Sequence, residues 1–235
     1  MDGDYIIPII GQILLIIAII SSVNQIFRFQ NAGNKLFRTI ALITQIFPFF
    51  FLVFAFILDF SSLKLVTEYG GADLPLLYRI SAVWGGRAGP LLLFAALMSI
   101  VTWLMTEREM LDYDVRIMHG FTLGILVISW FLEPFANSAG VTPSELNPLL
   151  QTDLMVIHPP VVFFYYALCI ATAAVAMGGV ISGKSAKDIH ESQLHWARAG
   201  FLAGTIGIGL GGLWAYTVLD WGGYWAWDPV ETGSI

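Results

Sequence analysis

Residues 154–181 read LMVIHPPVVFFYYALCIATAAVAMGGVI, a run without a single Asp, Glu, Lys or Arg. A helix needs about 20 predominantly apolar residues to cross a bilayer, so this segment is long enough to span one. Five further stretches have the same character, and together the six lie near 6–27, 38–60, 89–106, 116–135, 154–181 and 195–218. Of the 235 residues 57% are apolar and 12% are charged. A soluble domain of this size could not hide so much apolar surface, which leaves an all-α integral membrane protein, a bundle of about six transmembrane helices. The amino terminus, MDGDYIIPII, is acidic and lacks the basic flank and cleavage site of a signal peptide, so a permanent first span is expected.

The connections fall at 28–37, 61–88, 107–115, 136–153 and 182–194. Arg28, Lys35, Arg38, Arg108, Arg116, Lys184, Lys187 and Arg198 flank the first, third and fifth, against Lys64, Arg79 and Arg87 on the opposite face. That bias predicts a cytoplasmic side for the odd-numbered connections. Both termini, the 61–88 and 136–153 loops and residues 219–235 are then external. The net charge of −6 has no bearing on this orientation, because carboxylates contribute little to it. Residues 1–218 make the six-span domain, and 219–235 a separate external segment. The single cysteine, Cys169, lies in an apolar run, so no disulfide or thiol pair is available.

That external segment contains LDWGGYWAWDPVE (219–231). Tryptophans at a membrane boundary ordinarily form an anchoring belt, the reading taken for Trp214 and Trp196. A cluster invites a second reading. If 221–228 is helical, Trp221, Tyr224, Trp225 and Asp228 share one face, Gly222 and Gly223 keep the backbone approachable, and Pro229 ends the element. Aromatic faces of that kind suit a large flat ligand. Glycines at 204, 207, 209, 211 and 212 in the sixth span serve either close helix packing or room for such a ligand.

Among four histidines, His119, His190 and His195 read as interfacial or loop residues. His158 precedes Pro159 and Pro160, and proline in a first helical turn has a preset φ and no N–H to leave unpaired. The pair predicts a helix start there and a fixed direction for the imidazole. His158 is then either an interfacial capping residue or a metal ligand. With the aromatic shelf on the same face, a metal-centred planar macrocycle suits both features.

WGGYWAWDPVE resembles the tryptophan-rich (WWD) signature of the haem-handling proteins of cytochrome c assembly. LLYRISAVWGGRAGPLLL (76–93), LNPLLQ (146–151) and MVIHPP (155–160) point, within that group, to the CcmF-type haem lyases, in matching order along essentially the whole chain. The resemblance implies that His158 is the first of two external histidines that flank the signature and ligate haem iron. It implies haem contact by Trp221, Gly222, Gly223, Trp225, Trp227, Asp228 and Pro229. It also implies haem b as a transiently held substrate, joined through its vinyl groups to an apocytochrome's C-x-x-C-H thiols. The expected partners are a membrane-tethered haem chaperone, apocytochrome c, the maturation proteins that reduce and hold it, and membrane lipid. No nucleic acid is expected, and no catalytic residue is assigned.

Departures qualify the match. Family members usually carry aromatics at the positions of Tyr224 and Ala226, of which only Tyr224 is aromatic here, Asn-Ala where this chain has Thr232-Gly233, and His-Glu where it has Arg87-Ala88. The family also continues through further spans, which carry the second external histidine and the intramembrane pair holding a permanent haem b. This chain would therefore need a second-half polypeptide from a split gene, or is a piece of a longer lyase. A six-span WWD relative of similar length is a worse match, because its signature lies between middle spans. Arg79 and Arg87 are candidate propionate partners, while the roles of Asp228 and Glu231 stay open. The competing class is a transporter or channel subunit, which would place ionisable groups near the midplane rather than at one surface.

Overall fold

The computed structural model describes residues 3–27, 35–107, 112–218, 220, 223, 225 and 232–233. Its helices are α1 (Gly3–Phe27), α2 (Lys35–Ile57), α3 (Lys64–Tyr69), α4 (Leu76–Ala82), α5 (Ala88–Thr106), α6 (Asp112–Phe131), α7 (Asp153–Ile181) and α8 (Ala186–Thr217), with a 3₁₀ turn at Pro148–Leu150. No strand occurs among the described residues. All but α3 and α4 are long and apolar enough to cross a membrane, so the fold is that of a helical multi-pass membrane protein.

α5 is the most enclosed span, packed against α2, α6 and α7, while α8 lies on α7. Small and flexible residues let these helices approach: Ala95, Ala96, Met98 and Met105 of α5 and Ala167, Ala171 and Ala174 of α7 are buried. Lipid offers no hydrophobic drive for helix association, so such interfaces depend on close contact and hydrogen bonds. The outward faces of α1 and α2 are apolar instead, with Ile9, Ile13, Ile16, Phe50 and Phe54 exposed as a lipid-facing surface requires.

Two connections differ from their sequence reading. The 61–88 segment holds α3 and α4, each too short to register as a helical period, and is pinned to the 136–153 segment. An antiparallel bridge joins Leu63 to Asn137. Ser144 N–H bonds the Thr67 carbonyl at 3.0 Å, and Ser144 Oγ bonds the Glu68 carbonyl at 2.6 Å. α8 begins at Ala186, not near 195, so His190 and His195 stand on a helix. Its first turns are too polar for hydropathy to detect, but Ser185 caps them by accepting from Asp188 N–H at 3.2 Å. Trp196 is only 5% exposed and lies beside His195 with ring centres 4.9 Å apart and planes tilted by 46°, so it does not serve as a belt residue.

His119 also departs from expectation. It is 6% exposed, one side of a polar cluster joining α1, α2 and α6. Gln45 Nε2 donates to Ser22 Oγ at 2.9 Å and to His119 Nδ1 at 3.2 Å, and Ser22 Oγ donates to the Ala18 carbonyl at 3.0 Å. The amide nitrogen can only donate, so His119 Nδ1 is an acceptor in this arrangement. The spans thus carry an ionisable side chain away from the expected surface, tied into helix packing.

Candidate functional site

The prolines of MVIHPP lie inside a helix and do not start it. Thr152 is the cap of α7, its hydroxyl accepting from Leu154 N–H at 3.1 Å and Met155 N–H at 3.3 Å. His158 is therefore in the second turn, with Pro159 and Pro160 after it. An interior proline deprives the carbonyl four residues back of its donor. For Pro159 that carbonyl belongs to Met155, and Trp84 Nε1 donates to it at 2.7 Å. Trp84, 8% exposed, sits in the turn between α4 and α5. The turn is tight: a Cβ on Gly89 would overlap the Val83 carbonyl, and one on Gly85 would stand 3.0 Å from Leu146. In this way 76–93, LNPLLQ and MVIHPP, separate in sequence, meet beneath one histidine.

The other side of His158 is held by α8. Its Nδ1 lies 3.0 Å from the Gly207 carbonyl. A carbonyl can only accept, so Nδ1 carries the ring proton and the Nε2 lone pair is left. Nε2 has no hydrogen-bond partner among the described residues. Metal-binding histidines are commonly oriented by such a bond from the second nitrogen. Trp214 meets the ring edge-on, with centroids 5.8 Å apart at 73°. Its buried indole N–H finds no acceptor among the described residues. Trp214 is thus a neighbour of the histidine, where the sequence reading had a membrane anchor.

Close approach of α8 to α7 makes this possible. Gly200, Gly204, Gly207 and Gly211 recur at helical spacing along the contact face. A Cβ on each would stand 3.5 Å from Leu168, 2.9 Å from Tyr165, 3.2 Å from Val162 and 2.8 Å from His158 respectively. Gly209 points away, with nothing within 4 Å. Of the five glycines read in the sixth span, helix packing accounts for Gly204, Gly207 and Gly211.

Of the aromatic segment, Trp221, Gly222, Tyr224, Trp227, Asp228 and Pro229 lie outside the described residues. Gly223 and Trp225 are described, and neither is helical, so the helix read over 221–228 does not hold at these two positions. Asp220, just beyond α8, has a φ of 54°, a left-handed conformation that an aspartate tolerates better than most residues. Arg79 is already engaged. Its Nε donates to the Leu74 carbonyl at 2.9 Å and Nη1 to the Ile57 carbonyl at 3.2 Å, with Nη2 on the Ala72 carbonyl. Arg87 is exposed and makes no hydrogen bond among the described residues, so of the two arginines it is the one able to meet an anion.

These features define a polytopic helical membrane protein that presents one histidine, locked through its second nitrogen, at the end of the bundle from which an aromatic-rich segment emerges. The chain belongs to the cytochrome C assembly protein family, which it matches over residues 84–235. It is similar to the cytochrome c-type biogenesis protein CcmF of Escherichia coli K12, at 34% identity over 217 residues, covering 87% of this chain and 33% of that protein. CcmF of Pseudomonas fluorescens is 30% identical over 255 residues, covering all of this chain and 39% of the relative. A solved structure of the cytochrome c haem lyase CcmF has the same fold, with a TM-score of 0.72 at 20% identity over 98% of this chain and 38% of that one. The chain thus spans about a third of the length of the curated relatives it matches.

Proposed function

We propose that this chain is a haem-presenting membrane subunit of cytochrome c maturation. His158 ligates haem iron through Nε2, and Trp221, Gly222, Gly223, Trp225, Trp227, Asp228 and Pro229 form the surface on which haem lies. The observation that carries the reading is the Nδ1 bond of His158 to the Gly207 carbonyl, which reserves the other nitrogen. The residues fit haem: a neutral imidazole is the common axial donor to its iron. Trp214, whose buried indole N–H has no acceptor among the described residues, packs edge-on against that imidazole. When bound, haem supplies vinyl groups for attachment to the thiols of an apocytochrome.

On this reading the His158 end of the bundle faces the outside of the cell membrane, as the lysine and arginine bias requires. Haem arrives from a membrane-tethered chaperone, and the maturation proteins that reduce and hold apocytochrome c deliver the thiols. The rest of the family's length, on a second polypeptide or a continuation of this one, would supply the second external histidine and the permanent haem b site. The test is the visible spectrum of the detergent-purified protein, produced alone and with that second part, each beside His158→Ala. A Soret band that the substitution reduces supports the reading; an unchanged band removes His158 as ligand.

A further inference from the structure

We propose that Gly207 and Gly211 of α8 are positioning residues for His158, setting both which ring nitrogen is free and where it points. This rests on the haem-presenting reading above. Alanine is favoured over glycine in a helix interior, so two glycines one turn apart are retained against a local preference. Each has a separate geometric reason. At Gly211 a Cβ would stand 2.8 Å from His158 Cε1, so a side chain there must displace the ring. At Gly207 a Cβ would stand 3.2 Å from Val162, and its absence lets the two backbones close until the Gly207 carbonyl reaches Nδ1 at 3.0 Å.

The remaining sides of the ring are also defined. Trp214, three residues beyond Gly211, places its ring edge-on to the imidazole. The turn of α7 below is held by Trp84 on the Met155 carbonyl. Rotation of His158 therefore requires movement of α8 or of the α4–α5 turn. α8 is also the helix that the tryptophan-rich segment follows in sequence. Gly209 supplies the internal control: the same residue type, two positions along the same helix, facing open space.

Two measurements test this. The first is the nitrogen NMR spectrum of histidine-labelled protein in detergent, with His158 assigned by loss of its signals in His158→Gln. A ring protonated at Nδ1 is expected, and one protonated at Nε2, or exchanging between the two, overturns the proposal without any glycine variant having to fold. The second is titration with haem b, followed at the Soret band. Gly211→Ala should weaken binding by about 10–100-fold, as loss of an orienting partner does at metal sites. Gly209→Ala should stay within about twofold. Equal effects of the two alanines overturn the proposal, since helix substitution alone would then suffice. Wild-type protein that binds no haem but holds the Nδ1-protonated ring sinks the haem-presenting reading while supporting the positioning role.

Discussion

His158 and His119 both stand in apolar helices, and the difference between them lies in their partners. At His119 the ring meets a side-chain amide inside the bundle, and Nδ1 is taken by Gln45 between α1, α2 and α6. At His158 the ring meets a backbone carbonyl at one end of the bundle, and Nε2 keeps its lone pair without a partner among the described residues. A carbonyl cannot donate, so it enforces one tautomer, whereas an amide can offer either its oxygen or its nitrogen. On the haem-presenting reading, what suits His158 and not His119 to ligation is the group that occupies its other nitrogen. Burial in an apolar helix is common to both.

The largest expected effect separates the two directly. His158→Ala should lower haem b retention by at least about tenfold, equivalent to about 1.4 kcal/mol, whereas His119→Ala should leave the Soret band in place. Loss of the band in both variants would remove the distinction. Second is the cost of breaking the inner cluster. Gln45→Leu strands Ser22 and His119 and should destabilise the bundle by about 1–3 kcal/mol. In a double-mutant cycle with His119→Leu, the pair should couple by about 0.6–1.7 kcal/mol. Unfolding in detergent measures both, and zero coupling would make the contact incidental.

A third prediction concerns the proline beside His158. Trp84→Phe leaves the Met155 carbonyl unpaired and should cost about 1–2 kcal/mol. In a Pro159→Ala background the helix regains its own donor, so the same substitution should cost less. An identical cost in both backgrounds would mean that Trp84 acts through packing and not through its N–H. The smallest effect belongs to Gly209→Ala, which should stabilise α8 by about 0.5–1 kcal/mol because its face is open.

The spans could be read from the sequence because a bilayer imposes a length and forbids charge, and both leave a continuous mark on the chain. α3 and α4 left none, being one or two turns long, with α3 held by hydrogen bonds to the 136–153 segment. The first turns of α8 were missed because Lys187, Asp188, His190 and Glu191 make them look like a loop, though Ser185 gave the cap signal. His158 was legible as a candidate, but its surroundings were not. Pro159 announces an orphan carbonyl at Met155, yet nothing local says that the donor is 71 residues earlier. His119 was misjudged for the same reason, since Gln45 is 74 residues away and carries no motif. The role of Trp84 had one signal, its place in a stretch that resembles the family.

The bond between His158 and Gly207 spans 49 residues of chain, and that separation gives the site a schedule. At a synthesis rate of about 5–20 residues per second, the histidine leaves the ribosome several seconds before its carbonyl partner. Trp84 is by then already made and can hold the proline turn, but α8 has yet to enter the bilayer. Until the last helix docks, the imidazole is free to exchange tautomers and rotate. The defined orientation of the imidazole therefore arrives only with insertion of α8, so on the haem-presenting reading a half-made chain would be a poor trap for stray haem.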